Sequence, residues 1–353
     1  MTTINPAAPV LVTGASGYIA SWLVKYLLEA GYTVHGTVRD PAKKAGLEHL
    51  HKLSETHPGK LKLFKADLLD AGAYDAAMQN CELVMHTASP FVISGLTNNY
   101  AQLVRPALEG TRNVLESCNR CASVKRVVLT SSVVSIYGDS IDGEHVPDHT
   151  FTEAHWNTTS TVDHQPYPYS KVVAEKEAWE IQKKQSRWDL VTINPGLVLG
   201  PSLTKASAST SLVFIKQLAN GTMFPGAPDL WMGVVDVRDV AQAHIKAGFT
   251  PTAKGRYITN GANANALQMG QILRRKFGGG FKFPLFTAPK ALVWLIAPMA
   301  GLTRKFVTLN VGYRIGFDNS RSRRELGMNY RPLEQTVGEH FQQVLDDGIL
   351  RRR

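Results

Sequence analysis

The chain has 353 residues, enough for a large core and two lobes. Apolar residues make up 44% and charged residues 19%, as in an ordinary soluble globular protein, and three cysteines (Cys81, Cys118, Cys121) are too few for a disulfide framework. The net charge of +10 is partly gathered in "SRSRRELGMNYR" and Arg351–Arg353; elsewhere Lys and Arg are read as interspersed with acids, so a solvated basic surface is expected and no nucleic-acid partner.

In chain order, "VLVTG" (10–14) reads as a buried strand and "YIASWLVKYLLEAG" (18–31) as a helix ending at Gly31. Strands follow at 33–40, 60–68 and 83–89, then a helix at 104–120 and a fifth strand at 124–132. A helix follows Tyr167, and "LVTINPG" (190–196) is a sixth strand. Strand–helix alternation with glycine-bounded, β-rich runs predicts an α/β fold: a doubly wound parallel sheet covered on both faces. Segments 139–166 and 201–232 are rich in Ser, Thr, Pro, Gly and Asp and read as long, functional loops. Residues 232–249 supply one more strand and helix, and 332–348 a last helix. "APKALVWLIAPMAGL" (288–302) is interrupted by Lys290 and Pro298, too short an apolar run to span a membrane, and reads as a buried helix. The domain reading is a nucleotide-binding unit at 1–195 plus about 233–250, and a smaller lobe at about 196–232 plus 251–353.

The start, "MTTINPAAPVLVTG", lacks a charged and then long apolar stretch, so no signal peptide is expected. With the cysteine count, this gives a cytoplasmic expectation, without a membrane partner. Cys118 and Cys121 form a lone C-x-x-C, which cannot complete a four-ligand zinc site. His145, His149, His155 and His164 fall in one polar loop and read as solvated; no metal site is expected.

"VTGASGYIA" joins the first strand to the first helix. Gly14 permits a tight turn, Gly17 lets backbone approach a pyrophosphate, and the helix start offers unpaired N–H groups to that anion. Ala20, where a third glycine often sits, is small enough for close helix–strand packing. The second strand ends "TVRD". Arg39, with Lys43 and Lys44 beyond it, suits a 2′-phosphate and favours NADP(H), whereas Asp40 would serve NAD if it pointed inward. "ADL" places Asp67 and Leu68 at a strand end lining the nucleotide crevice, and "HTAS" leaves room for a coenzyme beside Thr87, Ala88 and Ser89.

"QPYPYSKVVAEKEAW" (165–179) holds Tyr167 and Tyr169 with Lys171. Positions i and i+4 share a helix face, so Tyr167 can meet Lys171 and Tyr169 cannot. An ammonium near a phenol lowers a pKa otherwise near 10. "TSS" supplies Ser131 and Ser132, which strand alternation sends to opposite faces, as a hydroxyl donor for a substrate oxygen.

Together "VTGASGYIA", "TVRD", "ADL", "HTAS", "VVLTSS", "YPYSK", "NPGLVLGP", "DVRDVAQAHI" and "DNSRSRRELGMNYRP" resemble the extended short-chain dehydrogenase/reductases, in the dihydroflavonol reductase, cinnamoyl-CoA reductase and microbial aldehyde/ketone reductase branch. The resemblance spans nearly the whole chain. It implies a Ser132–Tyr167–Lys171 catalytic set. It also implies a coenzyme site of Thr13, Gly14, Ser16, Gly17, Tyr18, Ile19, Arg39, Lys44, Asp67, Leu68, Thr87, Ala88, Ser89, Tyr167 and Lys171, with Pro195, Gly196 and Val198 passing the nicotinamide. The implied activity is NADPH-dependent reduction of a carbonyl, by a monomer or homodimer. Phe91, Val133, Tyr137 and Leu197 are candidate substrate-lining residues, with Trp156, Phe214 and Met232 placed in the substrate lobe; their apolar character suits a hydrophobic or aromatic carbonyl. The rivals are an NAD-dependent nucleotide-sugar epimerase or dehydratase, a 3β-hydroxysteroid-type dehydrogenase, and a non-enzymatic NADP-sensing regulator. Arg39 argues against the epimerase, and the joint presence of Ser, Tyr and Lys against the sensor.

Overall fold

The computed structural model describes residues 1–89, 97–204 and 210–352. Its strands are β1 (Val10–Thr13), β2 (Val34–Val38), β3 (Leu61–Lys65), β4 (Leu83–His86), β5 (Arg126–Thr130), β6 (Thr150–Phe151), β7 (Asp189–Pro195), β8 (Leu197–Leu199), β9 (Gly226–Ala227), β10 (Trp231–Asp236), β11 (Gly255–Thr259), β12 (Ala262–Asn265), β13 (Phe286–Thr287) and β14 (Gly316–Phe317). The helices are α1 (Tyr18–Glu29), α2 (Glu48–Thr56), α3 (Asp75–Met78), α4 (Arg105–Arg120), α5 (Pro166–Lys183), α6 (Thr210–Ala219), α7 (Val237–Phe249), α8 (Ala266–Phe277), α9 (Lys290–Ile296), α10 (Arg304–Asn310), α11 (Ser320–Leu326) and α12 (Leu333–Asp346).

Seven strands form one parallel sheet in the order β11-β7-β5-β4-β1-β2-β3. Chain order reverses between β1 and β4, which opens a crevice at their carboxyl ends. Both faces are covered, so the inner strands β1, β4, β5 and β7 are almost wholly buried, while the edge strand β3 exposes Lys62 and Lys65. Along β1, Val10 and Val12 enter a core with α1 and α7, while Leu11 enters another with α3, α4 and α5. Alternation along a strand divides the two cores. Gly36 on β2 is required by packing: a Cβ there would lie 2.9 Å from Ala15 Cβ.

The second lobe is built on a three-stranded sheet, β12-β10-β8, whose core is formed with α6, α8 and α12. Residues 255–259, grouped at the sequence level with the smaller lobe, instead pair with β7 in the large sheet. Residues 139–166, expected to be loop, contain short 3-10 turns and β6, which pairs with β14. The segment 288–302 is helical at α9 but not buried: Leu292, Trp294, Leu295 and Ile296 are exposed. No helix among the described residues is long and apolar enough to cross a membrane.

Candidate active site

Gly14 leaves β1 at φ +64, and a Cβ there would lie 3.1 Å from Ala88 Cβ. The turn therefore runs tight against the end of β4. Thr13 Oγ1 accepts N–H bonds from Thr87 at 3.1 Å and Ala88 at 3.0 Å, latching β1 to β4 at the switch point. Gly17 N-caps α1 without a side-chain cap, and no acid occupies the first turn. The leading N–H groups and an open glycine cradle fit a pyrophosphate. Ser16 is exposed and Ile19 packs against the core beneath. Tyr18 is turned away from the cradle: its hydroxyl donates to the Gly200 carbonyl, and Trp22 Nε1 donates to the Pro201 carbonyl at 2.8 Å. These bonds tie α1 to the loop after β8.

At the end of β2, Arg39 is exposed and forms no ion pair among the described residues; Lys43 and Lys44 are exposed beside it. Asp40 accepts the Ala42 N–H at 3.0 Å, so its carboxylate closes the local turn. Asp67 likewise accepts the Leu69 N–H at 3.0 Å, and Leu68 packs so closely on α4 that a Cβ on Gly110 would come within 2.4 Å of its Cγ.

Gln165, at φ 61, starts α5, and Pro166 and Pro168 occupy its first turn, where missing N–H groups cost nothing. Lys171 Nζ lies 5.8 Å from the centroid of the Tyr167 ring. It donates to Ser89 Oγ at 3.0 Å, which places the α5 face at the end of β4. Burial pushes the Tyr167 phenol up to about 12 and the Lys171 ammonium down to about 8, the latter opposed by Glu175. Desolvation thus outweighs the expected lowering of the phenol by the ammonium, and the phenol stays protonated at neutral pH.

The two serines after β5 part as alternation predicts. Ser131 is buried and donates to Glu175. Ser132 is half-buried, N-caps a 3-10 turn through Val134 N at 3.3 Å, and donates to the Pro195 carbonyl at 3.4 Å. Beyond it, Gly196 passes so close to β10 that a Cβ would lie 2.6 Å from the Gly233 carbonyl oxygen. Leu197 and Val198 follow on β8, both half-buried.

Residues 10–258 match the family described as "NAD dependent epimerase/dehydratase family". The chain belongs to that family. A cinnamoyl-CoA reductase of Medicago truncatula is 39% identical over 343 residues, covering 96% of each chain. An anthocyanidin reductase of Vitis vinifera is 35% identical over 276 residues, covering 75% of this chain and 80% of the other. Among solved structures, yeast methylglyoxal/isovaleraldehyde reductase Gre2 complexed with NADPH superposes with a TM-score of 0.78 at 28% identity, covering 97% of this chain and 100% of that one. The Gre2–NADPH complex from Candida albicans gives 0.77 at 30% identity, covering 96% and 99%.

Within this epimerase/dehydratase-family chain, motif reading missed the residue at the centre of the site's support. Glu175 lies one turn beyond Lys171 and is fully buried. It accepts from Ser135 Oγ at 2.6 Å, Asn194 Nδ2 at 2.9 Å and Arg256 Nε at 2.7 Å. Arg256 also donates to the His155 carbonyl at 2.6 Å and lies 3.8 Å from the Trp156 ring centroid. The i+4 spacing from Lys171 was the available signal; its arginine came from a strand too distant in sequence to suspect. Asp139 was missed too. It bonds His164 Nε2 at 2.7 Å, Gln165 Nε2 at 3.0 Å and Asn310 Nδ2 at 2.6 Å, pinning the start of α5.

The substrate-lining candidates divide. Val133 and Tyr137 pack in one apolar cluster with Phe151 and Phe317, and burial pushes the Tyr137 phenol up to about 12. Leu197, Phe214 and Met232 pack against the lobe core. Trp156 lies on Arg256 beside the large sheet rather than in the lobe. Phe91 falls outside the described residues. The three cysteines are free and buried. The "DVRD" landmark is architectural: Asp236 caps α7 and pairs with Arg238, which reaches Glu339 on α12 at 2.6 Å.

Proposed function

We propose that the chain is an NADPH-dependent reductase of aldehydes or ketones with a hydrophobic or aromatic body. The observation that carries this reading is the Lys171–Ser89 bond, which sets the Tyr167–Lys171 face of α5 against the β4 end of the nucleotide crevice. We assign the coenzyme to residues 1–195 and about 233–250, joined by 255–259, and the substrate lobe to the remainder. Three buried free cysteines suit a cytoplasmic setting.

The open turn at Gly14 and Gly17 holds the pyrophosphate, Arg39 and Lys44 the 2′-phosphate, and Thr87–Ser89 with Pro195–Val198 border the nicotinamide. When bound, NADPH would supply a hydride to the carbonyl carbon. Tyr167 gives its phenolic proton to the carbonyl oxygen, and Ser132 donates a hydrogen bond to that oxygen as charge grows on it. Ser131 is buried and committed to Glu175, whereas Ser132 is half-buried with only a long 3.4 Å bond to the Pro195 carbonyl, which favours Ser132. Lys171, while protonated, stabilises the phenolate left behind. The relatives named above are reductases, which favours reduction over epimerisation.

The test is Tyr167→Phe, assayed by NADPH oxidation over a panel of aldehydes, ketones, dihydroflavonols and keto-sugars. Turnover falls about 10²–10⁴-fold while NADPH still binds. Near-normal turnover, or no turnover by the parent chain on any substrate, removes the assignment. Tyr169→Phe changes turnover far less, since Tyr169 lies off the Lys171 face.

A further inference from the structure

From Val240 to Phe317 the sequence contains no Asp or Glu and eleven Lys or Arg, so the basic charge is not evenly interspersed with acids after all. The middle of this stretch folds into α9, a 3-10 turn at Ala297–Ala300, a left-handed Gly301 at φ 72, and α10. Its inner side is small: Val293, Ala297, Val307 and Val311 are buried together. Its outer side should be polar, because a surface helix buries one apolar stripe and wets the rest. Instead Leu292, Trp294, Leu295, Ile296, Met299 and Leu302 are exposed, Leu295 at 62% and Met299 at 91%. A contiguous exposed apolar patch of this kind marks an interaction site.

The patch has a cationic rim. Lys290 opens α9, Arg304 and Lys305 open α10, all three are exposed, and none forms an ion pair among the described residues. The Arg304 guanidinium lies 4.3 Å from the Trp294 ring centroid, joining rim to patch. Three occupants compete. A second copy would bring the same unpaired cations together, on a chain of net charge +10. An acidic protein would satisfy the charge, but the apolar tip projects outward and would need a matching cavity. An anionic bilayer satisfies both features: its interface accepts projecting Leu, Trp, Ile and Met side chains, and its headgroups pair with Lys and Arg.

We propose that the α9–α10 hairpin seats in the surface of an anionic lipid bilayer, a peripheral contact that holds the smaller lobe against the membrane. The contact is independent of the reductase reading. It replaces the expectation of no membrane partner with one of surface association, without a spanning helix.

The test mixes the full chain with phosphatidylcholine vesicles, and with vesicles containing about 30% phosphatidylserine, and measures co-sedimentation. Binding is at least roughly tenfold greater on the anionic vesicles and falls about tenfold when salt rises from about 0.1 to 0.5 M. The Leu295→Asp/Met299→Asp double variant loses binding while keeping the parent's thermal midpoint. The charge-only variant Arg304→Gln/Lys305→Gln, which leaves the apolar tip intact, weakens it. Absence of binding to either vesicle overturns the proposal, as does binding that the double variant retains. So does a dimer, seen by sedimentation velocity, that the double variant splits while vesicles bind nothing. Retention on an acidic polypeptide without vesicle binding overturns it in favour of a protein partner.

Discussion

Arg39 and Asp40 are adjacent groups of opposite charge at the end of β2, one a donor and the other an acceptor. Asp40 accepts the Ala42 N–H and Arg39 forms no ion pair among the described residues, which supports the proposed pairing of Arg39 with a 2′-phosphate. Charge-assisted hydrogen bonds contribute about 1.5–3 kcal/mol, so Arg39→Ala should cut the NADPH-over-NADH ratio of kcat/KM by roughly 10–100-fold. Lys171 sets a second expectation. Burial brings its ammonium down to about 8, so the positive charge proposed to support Tyr167 is present below that pH and lost above it. The kcat/KM for carbonyl reduction should decline as pH rises through about 8. Lys171→Arg, whose charge persists, should remove that limb from the pH profile even if its turnover is lower.

At the scale of elements, α5 is held by Glu175, a carboxylate inside the 165–179 stretch to which the motif assigns no role. Glu175 joins α5 to the end of β5 through Ser131, to β7 through Asn194, and to β11 through Arg256. The arginine raises the acidity of this fully buried carboxyl, overcoming the opposing effect of burial. Removing one partner strands the other charge in the interior. Glu175→Ala should therefore destabilise the fold by about 3–5 kcal/mol, read from the midpoint of urea unfolding. An apolar replacement of both partners should recover much of that loss, because neither charge then remains to be desolvated.

For the whole molecule, three buried histidines contribute to the loss of stability in acid. Burial lowers His86 to about 3, and His244 and His340 to about 4. Above pH 6.5 each is neutral whether the chain is folded or not, and stability is full. Below it the unfolded chain takes up protons that the folded chain refuses, so stability falls until the folded groups protonate near pH 4. Each histidine contributes a slope of about 1.4 kcal/mol per pH unit in that window, and the three together about 4. Urea unfolding at stepped pH between 7 and 4 measures it; a flat profile would mean these rings are not buried neutral. The vesicle contact belongs to this scale as well, since it depends on how a whole lobe presents its surface.

The glycine turn, the order of strands and helices, and the Tyr167–Lys171 pairing were legible in the sequence because each is local: a turn conformation, a hydrophobic period, or one turn of helix. The choice of Arg39 over Asp40 and of Ser132 over Ser131 was only half legible. Both residues of each pair are chemically able, and only the partners each one has in the fold favour the proposed choice. β11 and the Glu175–Arg256 pair were illegible because their partners come from distant segments, Glu175 and Arg256 lying 81 residues apart. The run at 288–302 shows the same limit from the other side. Its apolar residues predicted a helix correctly, but burial is a property of what packs on a helix, and the tertiary structure leaves the outer face of α9 to the solvent.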